Sequence, residues 1–200
     1  MVIMTKSPSN FAERSWPVQG QWTYEDWLQL PDDGSRYEVI DGELYMAPPP
    51  AIAHQSSSNR LATGMTVHSD RTDAGRVFNA PIGVRLPNQP VPFEPDIVFI
   101  SNARKEIIGD KYIEGVPDLL VEILSPSNWP YDRQTKFEVY RDAGVPEYWI
   151  VDYRKKTIEV FVLDGGEYVL QKGILGMGEM AESEAMTGFQ IAVSEVFRDL

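Results

Sequence analysis

The chain has 200 residues, 42% hydrophobic and 24% charged, which is ordinary globular composition and enough for one domain with a sizeable core. Its formal net charge of −12 argues against broad, non-specific affinity for nucleic acid, so any such contact must come from a local basic patch. The absence of cysteine excludes disulfides, a thiolate zinc site and a cysteine nucleophile. No run approaches the roughly 20 apolar residues of a membrane-spanning helix, and Met1 to Asn10 lack an apolar signal core; a cytoplasmic protein without membrane contact is expected.

Residues 1–20 read as a loose N-terminal arm and residues 21–200 as a single domain. Thr23 can cap a short helix reaching Leu28, with Glu25 and Asp26 in its first turn. Residues 36–40 and 43–46 flank Asp41-Gly42, a strong two-residue hairpin signal. A helix is predicted over 53–68, and 76–86 is strand-like with a break near Pro81. Residues 96–100 form a short apolar strand entered through Pro95, and 119–124 a second, continuous apolar strand bounded by Pro117 and Pro126. Residues 132–143 read as a helix with Phe137, Tyr140 and Ala143 on one face, stopped by Gly144 and Pro146. A strand over 147–152 follows, then a hairpin of 157–163 with 167–171 around Asp164-Gly165-Gly166, and a last turn near 194–198. The order of elements predicts an α/β fold.

Three acids stand in apolar company. Glu122 sits inside the 119–124 strand, where an unpaired ionised carboxylate costs several kcal/mol and needs a partner, a metal or a proton. Asp96 opens a strand, and alternation puts Glu38 on the same face as Ile40. Brought together, these carboxylates make an oxygen-rich site for Mg²⁺ or Mn²⁺ and point towards phosphoryl chemistry. Lys136, on the helix after the Glu122 strand, can orient an attacking water and stabilise charge on the phosphate. Each residue also has a plainer reading. Lys136 can pair with Asp132 on an exposed helix face. Asp96 can bond a turn, Glu122 can pair with Arg85 or Arg133, and Glu38 with Arg36. His54 can simply sit near a helix start, Trp129, Tyr148 and Trp149 read as packing, and Arg154-Lys155-Lys156 read as a solvated turn within reach of a phosphate backbone.

Tyr37-Glu38-Val39-Ile40-Asp41-Gly42-Glu43-Leu44, Pro95-Asp96-Ile97, the run from Pro117 to Ser127, Asp132 with Lys136 and Tyr140, and the run from Ala143 to Asp152 together resemble the Uma-two family. These are restriction-endonuclease-like proteins of the PD-(D/E)XK nuclease superfamily, and the resemblance spans roughly residues 20–195. It implies a restriction-endonuclease-like fold, a central mixed β-sheet flanked by helices with an N-terminal β-hairpin, and a divalent-metal site. By the same resemblance Asp96 and Glu122 are metal ligands, the backbone carbonyl of Ile123 is a further ligand, and Glu38 completes or abuts the site. The chain departs from the superfamily pattern at Leu124, where a lysine belongs; the family's Asp-x-x-x-Lys element makes Lys136 the substitute.

The expected function is therefore a Mg²⁺- or Mn²⁺-dependent endodeoxyribonuclease with Glu38, Asp96, Glu122 and Lys136 as its catalytic group, DNA as substrate and a homodimer as the working form. A rival from another class is a catalytically inactive dimeric module that binds nucleic acid or protein. A third is a metal-dependent phosphohydrolase acting on nucleotides.

Overall fold

The computed structural model describes residues 2–3, 16–31, 36–40, 42–47, 50–89, 91–125, 131–198 and 200. In chain order the elements are β1 (Val2–Ile3), α1 (Tyr24–Trp27), β2 (Arg36–Ile40), β3 (Glu43–Ala47), α2 (Ile52–Thr72), β4 (Gly75–Asn79), β5 (Gly83–Arg85), β6 (Ile97–Ser101), β7 (Tyr112–Glu114) and β8 (Leu119–Ile123). They continue with α3 (Phe137–Asp142), β9 (Glu147–Asp152), β10 (Thr157–Asp164), β11 (Glu167–Leu170), β12 (Met180–Glu182), β13 (Gln190–Ala192) and α4 (Val193–Val196). A 3₁₀ helix, Asn102–Ile107, follows β6, and a π-helical turn, Tyr131–Lys136, leads directly into α3.

Six strands form the central sheet in the order β11-β10-β9-β8-β6-β4. β8 and β9 run parallel, and the flanking pairs run antiparallel. The sheet is mixed, as the family resemblance implies. β8 and β9 are buried along their whole length, the reason their sequences are nearly continuous apolar runs.

Alternation sorts the side chains of these strands between two cores. Leu119, Val121 and Ile123 join Trp149 and Val151 on one face, with Leu61 and Met65 of α2 and Val193 and Val196 of α4. Leu120, and Leu124 just past the strand, join Tyr148 and Ile150 on the other face, with Tyr140 of α3. Glu122 falls between Leu120 and Leu124 in this alternation, so it shares their face and meets α3. A one-residue slip of β8 would exchange the two faces. Each fully buried Leu, Ile or Val, worth about 1.5–3 kcal/mol, opposes that slip.

The N-terminal hairpin is present: Ile40 pairs with Glu43 across a two-residue connection in which Gly42 takes a φ of 76°; Asp41 lies outside the described residues. Two stretches of residues 1–20 bond to this hairpin. Val2–Ile3 pair with Tyr45 and Met46 in the small sheet β1-β3-β2. Further along, the Gln19 amide donates to the Leu44 carbonyl at 2.9 Å and accepts the Leu44 N–H at 2.7 Å. One side-chain amide thus supplies both bonds of a missing strand neighbour.

Thr23 caps α1 with Asp26 completing the reciprocal box. α2 runs past the predicted 53–68 because Asp73 itself takes the left-handed C-terminal position, φ 53°, that glycine usually marks. The segment 76–86 divides at Ala80-Pro81 into β4 and β5, and β5 pairs in parallel with β7, a strand not anticipated. No helix among the described residues is long and apolar enough to cross a membrane.

Candidate active site

β8 delivers Glu122 into the α3-side core, where it is 3% exposed. Four residues apart on the helical run, Lys136 and Tyr140 share a face and both reach it. Lys136 Nζ donates to Glu122 Oε1 at 2.9 Å, and the Tyr140 hydroxyl donates to the same oxygen at 2.7 Å. Glu38 arrives from β2. Its strand neighbour Ile40 belongs to the same core as Leu124 and Tyr140, and Lys136 donates to Glu38 Oε1 at 3.3 Å. The Glu94 N–H reaches that oxygen at 3.3 Å as well.

Asp96 stands at the entrance of β6, next to the end of β8. Its own N–H donates to the Val121 carbonyl at 3.1 Å, and its Oδ2 accepts the Ile123 N–H at 2.8 Å. The strand pairing therefore fixes the spacing between Asp96 and Glu122. His54, the third residue of α2, places Nε2 3.4 Å from the same Asp96 Oδ2.

Electrostatics make this a strained anionic cluster. Burial is the main force on Glu122; Lys136 pulls its pKa down, Asp96 and Glu38 push it up, and the carboxyl ends raised from 4.5 to about 7. Burial and the Glu122 charge also hold the Tyr140 hydroxyl well above its usual range, so it stays a proton donor. Mutually repelling, buried carboxylates are the donor chemistry that a hard divalent cation relieves. Among the described residues no group of three or more His, Cys, Asp or Glu side chains is arranged to hold a metal. A Mg²⁺ site needs no such cage, since that ion usually takes one or two carboxylates together with water and phosphate oxygens. The residues fit such an ion with Asp96 and Glu122 as its carboxylates.

Several plainer readings fall away. Lys136 is only 2% exposed, so it is not half of a solvated helix-face pair; the pairing with Asp132 lies outside what is described. Arg85 bonds Glu114 and the Tyr24 hydroxyl instead of Glu122. The side chains of Arg36 and Arg133, and all of Trp129, lie outside the described residues. Tyr148 and Trp149 are fully buried packing, as expected. Of Ile123, the structure brings the amide N–H to Asp96.

The sequence pattern of the Uma2 family, described as "Putative restriction endonuclease", matches residues 24–194. The chain belongs to the Uma2 family. A Synechocystis protein, itself uncharacterized, is 26% identical to this Uma2 chain over 179 residues, covering 88% of it and 91% of the relative. In three dimensions the chain is similar to an Anabaena variabilis protein described as a putative nuclease of DUF820. The TM-score is 0.71 at 17% identity, over 88% of this chain and 97% of that one. The restriction-endonuclease-like fold is thereby shown. A likeness to the type IIG restriction endonuclease BpuSI, TM-score 0.43 over 16% of that longer chain, is too slight to bear on function.

Two further residues, Tyr140 and His54, touch these carboxylates. Tyr140 lies four positions after Lys136, and that spacing is the signal that both meet Glu122. His54 offers no such signal, because its neighbour Asp96 comes from a distant strand.

Proposed function

We propose that this Uma2 protein is a divalent-metal-dependent endodeoxyribonuclease that hydrolyses phosphodiester bonds. The observation that carries the reading is the meeting of Lys136 with Glu122 and Glu38, at 2.9 and 3.3 Å, inside a nuclease-like fold. Leu124 stands where the superfamily pattern has its lysine, and a lysine reaches the same carboxylate from the helix instead.

Asp96 and Glu122 would hold the cation, which supplies charge neutralisation at the phosphate and a more acidic bound water. The remaining work falls to the chain itself. The Lys136 ammonium orients the attacking water and faces the negative charge that grows on the phosphoryl oxygens. Glu38 holds Lys136 in place and shares its charge. Tyr140 fixes one oxygen of Glu122 and leaves its other oxygen out of both bonds. Water oxygen bonds to phosphorus, the bond from phosphorus to the 3′-oxygen breaks, and that oxygen leaves with a proton. The products are a 5′-phosphate and a 3′-hydroxyl. Two copies related by a two-fold axis suit the two antiparallel strands of a duplex, so a homodimer is part of the proposal.

The test is incubation of supercoiled plasmid and single-stranded DNA with wild type and Glu122→Ala, in Mg²⁺, Mn²⁺ or EDTA. Metal-dependent cutting by wild type and none by the variant is expected. Equal cutting by both would overturn the assignment. No cutting, with no saturable Mn²⁺ binding, would favour a binding module whose Lys136 merely closes a buried ion-pair network.

A further inference from the structure

The two histidines of the chain have different surroundings. His68 is a structural histidine: its Nε2 lies 3.1 Å from the Thr187 carbonyl oxygen, and its ring meets Phe189 edge-on at 5.5 Å between centroids. His54 is as deeply buried, 6% exposed, yet its Nδ1 is a buried polar atom with no hydrogen-bond partner among the described residues. Leaving such an atom unpaired costs about 1–3 kcal/mol. Phenylalanine would fill the same space against the edge of Tyr153, 6.3 Å away between ring centroids, without that cost. Packing therefore gives no reason for an imidazole here.

The other nitrogen does. Nε2 stands 3.4 Å from Asp96 Oδ2. A carboxylate only accepts, so Nε2 is the protonated nitrogen in either form of the ring. Oδ2 thus faces two donors from opposite parts of the fold, the Ile123 N–H of β8 at 2.8 Å and the His54 ring of α2. Two donors from different elements converge on that one oxygen and oppose rotation of the carboxyl group about its Cβ–Cγ bond. The outer partners that orient a ligating carboxylate commonly carry 10–100-fold in metal affinity.

We propose that His54 is a positioning residue that holds the Asp96 carboxylate in the orientation required to bind a divalent cation. This rests on the nuclease reading above, in which Asp96 is a ligand. His54 does not coordinate the ion; it acts through Asp96, using the end of α2 as a rigid mount.

The experiment is titration of the full chain with Mn²⁺ alone, without DNA, by calorimetry and by loss of the free Mn²⁺ electron paramagnetic resonance signal. Wild type is compared with His54→Phe, His54→Gln and Asp96→Asn, and thermal unfolding without metal is recorded for each. His54→Phe keeps the packing against Tyr153 and removes the donor; about a tenfold weaker Mn²⁺ affinity is expected. His54→Gln carries an amide nitrogen at about the reach of Nε2, and affinity within about threefold of wild type is expected. Wild-type affinity in His54→Phe, with Asp96→Asn impaired, would overturn the inference and leave the metal site standing. Equal weakening in His54→Phe and His54→Gln would also overturn it, because the donor would then not be what matters. If wild type binds no Mn²⁺, the parent reading fails and this inference with it.

Discussion

Lys136 Nζ stands 2.9 Å from Glu122 Oε1 although the two residues are 14 positions apart on different elements. Removing one partner of a buried pair typically costs about 3–5 kcal/mol. Yet burial outweighs the lysine and leaves the Glu122 carboxyl raised from 4.5 to about 7. The site is thus an ion pair held short of full compensation, with Asp96 and Glu38 adding the repulsion that a cation would relieve.

That balance has a pH signature. Folded Glu122 holds its proton up to about pH 7, against a usual 4.5. Between those values the folded chain binds more protons than the unfolded one, so stability falls as pH rises. The contribution is fully present below about 4.5 and lost as pH rises through about 7. Glu122→Gln keeps the shape and removes the titration. In urea unfolding, wild type should lose on the order of 1–3 kcal/mol relative to the variant between pH 4.5 and 8. A difference constant with pH would contradict the raised value.

Tyr140→Phe deletes the hydroxyl that donates to Glu122 at 2.7 Å and keeps the ring against Phe93 and Tyr148. A hydrogen bond to a charged group is worth about 1.5–3 kcal/mol, so the variant should fold and cut DNA about 10-fold more slowly at saturating Mg²⁺. An unchanged rate would make Tyr140 packing alone.

The turn after β9 bears on binding. Tyr153 meets His54, and His54 meets Asp96, so Arg154 and Lys155 follow directly on the site. Asp152 Oδ1 accepts the backbone N–H of both, at 3.0 and 3.1 Å, and fixes the turn. In a chain of net charge −12 this is a local basic feature of the kind phosphate contact requires. Fluorescence anisotropy in a Glu122→Gln background should show Arg154→Glu with Lys155→Glu weakening DNA affinity several-fold, with a shallower salt dependence. Unchanged affinity and slope would remove the turn from the interface.

Much of this was legible in the sequence. The apolar run around Glu122 and the alternation of Glu38 with Ile40 place both acids on the α3 face, because a period of two leaves strand side chains little choice. Length limits were less legible: α2 outran its predicted end because Asp73 does glycine's work. Glu147 shows the other limit. It too is a buried carboxylate in an apolar strand, 1% exposed, but Trp149 Nε1 and the N–H groups of Glu184 and Ala185 satisfy it. Those partners are distant in the chain, apart from Trp149. Nothing local separates a structural carboxylate such as Glu147 from one poised for a ligand such as Glu122. His54 reads from the sequence only as a residue near a helix start, because its partner Asp96 is distant in the chain.

The most direct measurement is single-turnover nicking of supercoiled plasmid in Mg²⁺ by wild type, Lys136→Ala, and Lys136→Ala combined with Leu124→Lys. Leu124 shares the face of Glu122, so a lysine placed there can reach the carboxylate that Lys136 vacates. Lys136→Ala should fall about 100-fold or more, and the second substitution should restore a substantial part of the loss. Wild-type nicking by a folded Lys136→Ala would contradict the claim that this helix lysine is the catalytic one.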